Sequence, residues 1–465
     1  MRDESKNSRR KFIKKIVGSS LIAGAAPSIL SARDRTVIEI EPSDLKTYTA
    51  NDQVNIAMIG MGIQGYNDLR TAVKIPGVKL VGVCDLYTGR LEHAKEIYGN
   101  DLFVTKNFHE ILDRKDVDAV IIATPDHWHD HISIEALGKG KHVYCEKPMV
   151  HKLEEGAAVI AAQKKSGKVF QVGSQRVSSI VTLKAKALYD SGVIGDLVLV
   201  ETFTDRQGSI GAWQYSIPTD ANETTIDWNT FLGDAPKVAF DPVRFFRWRN
   251  YQDYGTGIAG DLFVHLFSGL HTIISSNGPT RIFASGGLRY WKDGRDTPDI
   301  LTSIHDYPAT GKHPAFNLQM RVNFADGSGG GELLRLVGTD GVITVGWTEV
   351  NVVRSRMPKM PGYGGWDSFN TFTAAQQKEY EAWYKAHYPP EKPEMRDPEI
   401  IYKAPEHYSA NDDHHANFYA AIREGKTVKE DALFSMRAAG PALATNKSYF
   451  ERKIVNWDPE AATLS

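Results

Sequence analysis

From residue 54 to about 173, apolar residues arrive in short, nearly unbroken runs separated by amphipathic stretches. Residues 54–60 (VNIAMIG), 80–85, 102–104 and 119–123 (AVIIA) read as strands, and the last is continuous enough for a parallel sheet covered on both faces. Between them, 87–98 and 108–114 space their apolar positions as helices do. This alternation predicts an α/β fold that starts with a doubly wound parallel sheet, as in Rossmann domains. Further along the texture changes. Residues 197–204, 281–285, 318–324, 332–337 and 342–345 look like strands divided by Gly, Asp and Pro turns, as in a second α/β domain with a large, open, mostly antiparallel sheet. Residues 356–410, dense in Pro, Tyr and Trp, read as an insertion, and 412–425 as the start of a helical tail. The expected organisation is a targeting segment over 1–32, a linker over 33–50, a nucleotide domain over 51–173 and a substrate and oligomerisation domain over 174–465.

The head of the chain follows another pattern. Residues 8–14 read Ser-Arg-Arg-Lys-Phe-Ile-Lys, a Gly- and Ala-rich apolar stretch follows over 16–30, and the chain turns polar at Arg33. That order resembles a twin-arginine export signal, so the mature protein is expected in the periplasm, delivered by the twin-arginine machinery and without stable membrane insertion. The apolar stretch is too short and too rich in small residues for a transmembrane helix. A formal net charge of −2 creates no field that favours nucleic acid or an anionic membrane. Only two cysteines occur, Cys84 and Cys145, both inside apolar runs; they exclude a disulfide framework and read as small buried hydrophobes.

Gly60-Met61-Gly62-Ile63-Gln64-Gly65 stands between a predicted strand and a predicted helix, and Asp85 ends the next strand. In that context the glycines form a dinucleotide fingerprint. Gly60 permits the tight turn, Gly62 lets the backbone approach a pyrophosphate, and Gly65 lets the helix pack closely with its N-terminal amides toward the phosphates. A carboxylate at Asp85 accepts ribose hydroxyls and repels a 2′-phosphate, which favours NAD over NADP, although Arg90 stands nearby.

Two more segments, Thr124-Pro125-Asp126-His127-Trp128-His129 and Glu146-Lys147-Pro148, complete a pattern with residues 60–65 that resembles the Gfo/Idh/MocA family, named for glucose-fructose oxidoreductase, inositol dehydrogenase and a rhizopine-catabolism protein. The resemblance covers roughly 53–270 and a C-terminal helix around 414–425. It implies that Lys147 reaches both nicotinamide and substrate and that Glu146 approaches the cofactor. Thr124, Pro125 and His129 would pass beneath the nicotinamide half, and Gln175 is counted with the same set. Gly260-Asp261-Leu262-Phe263-Val264-His265 resembles the family's catalytic Asp-xxx-His helix. A homo-oligomer is implied on the same basis.

The residue types fit hydroxyl oxidation. Asp261 and His265, four residues apart, share one face of a helix. A histidine titrating near neutrality suits the base that takes a hydroxyl proton, Lys147 would polarise the oxygen that becomes a carbonyl, and Asp261 would orient His265 or bind a neighbouring hydroxyl. No metal is expected: His127, His129 and His131 span a loop-to-helix junction, and His271 lies about 80° off the Asp261 face. Residues 412–415 read as a helix cap, and Trp213, Trp248, Arg249 and Trp366 are candidate pocket residues. The expected protein is an exported NAD-dependent oxidoreductase acting on a hydroxyl of a carbohydrate, its cofactor bound tightly and recycled. Redox-neutral glycoside cleavage through a 3-keto intermediate and non-catalytic sugar binding on a Rossmann frame are the competing readings.

Overall fold

The computed structural model describes residues 35–41, 52–388 and 397–465. The segment read as an export signal, 1–32, and most of the expected linker lie outside the described residues. Among those described, no helix is long and apolar enough to cross a membrane.

After a first strand, β1 (Arg35–Glu39), the nucleotide domain is built on β2 (Val54–Ile59), β3 (Val78–Cys84), β4 (Phe103–Thr105), β5 (Ala119–Ile122), β6 (His142–Glu146) and β7 (Phe170–Gly173). Their order is β4-β3-β2-β5-β6-β7, and every registered pair is parallel. All four residues of β5 are buried, as the unbroken AVII run requires of a strand covered on both faces. The crossovers are α1 (Ile63–Ala72), α2 (Thr88–Tyr98), α3 (Phe108–Asp113), α4 (His129–Gly138) and α5 (Gly156–Ser166). Asn107 caps α3 by accepting the His109 N–H, and Gly167, at φ 64°, ends α5 in the left-handed conformation. Strand order reverses between β2 and β5, so the crevice of this sheet opens at their carboxyl ends.

The second sheet has eleven strands in the order β1-β15-β14-β13-β12-β8-β11-β10-β9-β16-β17. They are β8 (Leu197–Asp205), β9 (Arg281–Gly287), β10 (Ile300–Tyr307), β11 (Phe316–Asn323), β12 (Gly331–Gly338), β13 (Gly341–Val345), β14 (Glu349–Arg354), β15 (Glu399–Lys403), β16 (Val455–Asp458) and β17 (Thr463–Leu464). β8 and β11 pair in parallel, whereas β12 through β15 and β11 through β10 and β9 to β16 pair antiparallel. Leu318, Met320 and Val322 of β11 point inward to a core shared with α6 (Ile180–Asp190), α7 (Val264–Ile274) and α9 (Ala432–Glu451), which follows α8 (Ala410–Glu424). The alternating Asn317, Gln319 and Arg321 stay exposed, the period of a sheet buried on one face.

Several expectations change here. β10 escapes the apolar pattern because its inward positions include Ser303 and His305, which are buried; His305 Nε2 lies 3.0 Å from Thr445 Oγ1. The stretch expected as an insertion holds a helix, Ala374–His387, and β15. α8 is capped by Ser409, whose side chain accepts the Asp412 N–H, not by residues 412–415; His414 and His415 are buried. Trp213 is core, edge-on to Phe324 at 4.9 Å, and Trp366 is fully exposed on the insertion. Cys84 and Cys145 are buried free thiols, raised well above the ordinary thiol range by burial.

Candidate active site

The glycine loop follows directly from what cannot fit there. Gly60 has φ +94°, and a Cβ on it would sit 2.6 Å from the Ala123 carbonyl oxygen. A Cβ on Gly65 would collide with the Gly60 carbonyl and approach Met58 Cε to 2.5 Å, so only glycine lets α1 lie this close to β2. Gly62 is different: its nearest neighbour would be the Arg90 guanidinium at 3.8 Å, which leaves its face open to the crevice. Gly62 also caps α1 without a side chain, and no acidic residue stands in the first turn, so the first amides of the helix are free for an anion. Gly60, Gly62, Ile63, Gln64, Asp85, Arg90, Thr124 and Pro125 line one cavity. These features fit a dinucleotide.

Asp85 is buried and accepts N–H bonds from Met61 at 2.7 Å and Tyr87 at 2.9 Å. It therefore fixes the glycine loop as well as facing the cavity, and a carboxylate has lone pairs left for hydroxyls. Met61 contributes this amide while its side chain enters the core. Arg90 lies 3.3 Å from Asp85 and over the rings of Phe245 and Phe246, held away from the role of a free 2′-phosphate ligand. Trp248 and Arg249, both candidate pocket residues, face the same cavity, where Tyr215, Phe231, Phe245 and Phe246, not foreseen in the sequence, complete an aromatic wall with Trp248. The density of aromatic residues over 245–254 is the one signal of it along the chain. Backbone bonds from Thr88 N–H to Thr225 O (2.9 Å) and Asp227 N–H to Leu86 O (3.0 Å) tie this segment to the nucleotide domain.

His129 is almost wholly buried, with Nδ1 2.7 Å from Pro148 O and Nε2 2.9 Å from Thr124 O. It braces the Thr124–Pro125 turn against the Glu-Lys-Pro turn. Asp126, to which the sequence assigns no role, accepts from Thr256 N–H (2.9 Å) and Oγ1 (2.8 Å). His127 bonds the carbonyls of Phe231 and Tyr254, and His271 Nε2 lies 2.9 Å from Tyr307 OH in the core. Among the described residues no group of three His, Cys, Asp or Glu side chains is arranged to hold a metal.

Lys147, Asp261 and His265 meet in a second cavity, of about 380 Å³. Lys147 Nζ donates to Asp261 Oδ1 and to the Asp261 carbonyl, both at 2.9 Å, leaving one of its three hydrogens for a ligand. Arg249 Nε donates to the same Oδ1 at 3.1 Å. Burial by itself would raise the Asp261 carboxyl, but Lys147 and Arg249 outweigh it and hold the group well below the usual carboxylate range. Asp261 sits in a π-helical turn, Ala259–Phe263, ahead of α7, instead of one continuous α-helix. Such bulges are frequent at functional sites. The expectation that His265 titrates near neutrality is corrected: burial, then the Lys147 charge, push it well below the ordinary histidine value. The ring is neutral, and its Nδ1 has no hydrogen-bond partner.

Glu146, expected from the resemblance near the cofactor and lining this cavity, forms a pair of buried carboxyls with Asp68, whose part the sequence does not signal. Gln64 Nε2 bonds Asp68 Oδ1 at 2.8 Å and reaches Glu146 Oε1 at 3.4 Å, while Gln175 Nε2 reaches the same Glu146 oxygen at 3.3 Å. A side chain on Gly173 would collide with Glu146. Burial raises Asp68 to about 7 and Glu146 well above its ordinary value, so the pair retains a proton at neutral pH.

A family profile described as an oxidoreductase family with an NAD-binding Rossmann fold, Gfo/Idh/MocA, matches residues 54–174. The NAD-dependent scyllo-inositol 2-dehydrogenase of Bacillus subtilis (strain 168) is 35% identical over 158 residues, 34% of this chain and 46% of that protein. A glycosyl hydrolase family 109 protein of Shewanella sp. (strain ANA-3) is 37% identical over 112 residues, 22% of this chain and 25% of that one. The chain thus matches less than half the length of these curated relatives. Among solved structures, a levoglucosan dehydrogenase in complex with NADH and levoglucosan superposes with a TM-score of 0.59 at 18% identity, over 87% of this chain and 99% of that one, a likeness of fold. The sheet order, the glycine loop and the profile agree over residues 54–174, which resemble the NAD-binding Rossmann domain of the Gfo/Idh/MocA oxidoreductases.

Proposed function

We propose that this protein is an NAD-dependent oxidoreductase acting on a hydroxyl of a sugar or glycoside. One observation carries the reading: the cavity holding Lys147, Asp261 and His265 shares Gln64, Ala123, Thr124, Trp248 and Arg249 with the dinucleotide cavity, so a reacting carbon can reach the cofactor. Gly60, Gly62, Ile63 and Gln64 would hold the pyrophosphate end, Asp85 the ribose, and Thr124, Pro125 and Glu146 the other half. NAD, when bound, supplies the hydride acceptor. His265, neutral and lining the same cavity, takes the hydroxyl proton. Lys147, clamped by Asp261, donates its remaining N–H to the same oxygen and stabilises charge developing there. Asp261 keeps the ammonium in place and stays ionised beside two cations.

We further propose export through the twin-arginine route, on the strength of Arg9, Arg10 and the apolar stretch after them, with the cofactor bound before export, and assembly into a homo-oligomer. The likeness to a glycosyl hydrolase family 109 protein favours a second reading, redox-neutral cleavage of a glycoside with the hydride returned. One experiment separates the two. Glycosides and free sugars are incubated with the protein and NAD while absorbance at the NADH band and release of aglycone are followed together. Stoichiometric NADH supports the dehydrogenase, and aglycone without net NADH supports cleavage. Turnover that survives in both Lys147→Met and His265→Ala removes the catalytic assignment.

A further inference from the structure

The cavity does not end at the reacting residues. It is lined further by Thr204, Arg206, Glu332 and Trp347 on the second-sheet side and by Asn411 of α8. Trp347 stands in the turn between β13 and β14, closed by the Gly346 N–H to Glu349 O bond of 2.9 Å, and it is 54% exposed. An indole so exposed is ordinarily free to swing. This one is fixed twice. Its Nε1 donates to Glu332 Oε2 at 3.1 Å, and one face lies over the Arg176 guanidinium, 3.9 Å from the ring centroid. Arg176 is 3% exposed and ion-paired with Glu332, so the support is a buried cation and its counter-charge. With Arg176 beneath, the opposite face of the indole is the solvent-exposed one. Small-molecule pockets typically span ~300–1,000 Å³, and the space here is about 380 Å³.

We infer that Trp347 is the platform of a second sugar-binding subsite, and that the substrate carries a further pyranose ring beyond the one being oxidised. A pyranose presents C–H bonds on one face and hydroxyls around its edge. The first match an aromatic face, and the second match the polar groups of Thr204, Arg206, Glu332 and Asn411 that share the cavity. Glu332 and Arg176 then act as positioning residues, setting the plane of the ring. The inference rests on the carbohydrate reading of the site, though it is open to a test that does not require turnover.

The test uses the full protein with NAD, in wild-type, Trp347→Phe and Trp347→Ala forms. Probes are glucose, galactose and mannose against cellobiose, lactose and maltose, with 4-nitrophenyl glucosides as the aromatic-aglycone arm. Binding is read by titration calorimetry and turnover by NADH. The ratio of disaccharide to monosaccharide kcat/KM is expected to fall about tenfold in Trp347→Ala through KM, with most of it kept in Trp347→Phe. Equal effects on both sugar classes, or a change only in oligomeric state, would overturn the subsite. A preference for nitrophenyl glucosides over disaccharides that Trp347→Ala abolishes would replace the second sugar by an aromatic aglycone and overturn the assignment to a pyranose. Disaccharide binding weakened by Trp347→Ala without any turnover in wild type would keep the subsite and sink the dehydrogenase reading. Binding of no disaccharide by wild type would overturn the subsite outright.

Discussion

Replacing Lys147 by methionine removes one of two cations from a buried carboxylate while nearly preserving side-chain volume. At 2.9 Å and an effective dielectric of ~20, the gross attraction between Lys147 and Asp261 is about 6 kcal/mol. Desolvation of both groups offsets much of it, and breaking such a pair from one side typically costs about 3–5 kcal/mol. Arg249, 3.1 Å from the same oxygen, still neutralises Asp261, which places Lys147→Met near the lower end, about 3 kcal/mol. Asp261→Asn leaves two cations without a counter-charge. The double variant should therefore cost less than the sum of the singles by at least ~1–2 kcal/mol, measured by denaturant unfolding at saturating NAD. The sign of the pH dependence follows from the depressed Asp261 value: the pair's contribution is complete above the unfolded carboxylate value near 4 and is lost as pH falls below it. The Lys147→Met deficit should then be flat from about pH 5 to 8. Activity separates from stability, because kcat should fall by about 100-fold or more and stay low in the double variant even where stability partly recovers. Strictly additive stability losses would show that the pair does not form, and an unchanged kcat would remove Lys147 from the reaction.

Gly65→Ala, whose new methyl collides with the Gly60 carbonyl, should leave a folded protein by circular dichroism that binds NAD at least ~100-fold more weakly by calorimetry. Asp68→Asn tests the buried carboxyl pair. Because burial raises Asp68 to about 7, its own contribution to stability is most favourable below the unfolded value near 4 and is lost as pH rises through 7; Gln64, Glu146, Tyr144, His415 and Tyr419 are the polar groups around it, and Glu146 acts with the same sign. The stability of Asp68→Asn relative to wild type should improve by about 1–4 kcal/mol between pH 5 and 8, and an unchanged difference would mean the pair holds no proton. The depressed His265 predicts that kcat/KM shows no acid limb near pH 6.5; a limb there that disappears in His265→Gln would contradict the neutral, buried imidazole.

Much of the nucleotide domain is legible in the amino-acid sequence. The run AVII reads as a strand buried on both faces, and the glycine triplet between strand and helix specifies a loop in which Gly60 and Gly65 have no room for a side chain. Lys147, Asp261 and His265 are readable as types suited to the chemistry, with the last two on one helix face; Lys147 joins them there only through the family resemblance. The second sheet is harder to read. β10 hides behind Ser303 and His305, whose burial is tolerable only because other elements supply partners, such as Thr445 for His305.

What the sequence determined by itself is local: the alternation of strand and helix, the glycine turn, and the residues able to carry a proton or a charge. What tertiary structure decided is which of them meet and in what medium. Lys147 and Asp261 lie 114 positions apart, and Arg249 joins them from a third segment. The displaced titration of His265, the protonated Asp68–Glu146 pair and the indole of Trp347 laid over Arg176 arise from desolvation and from charges brought together across the chain. Those quantities depend on distance in space, and no pattern of neighbours along the sequence contains them.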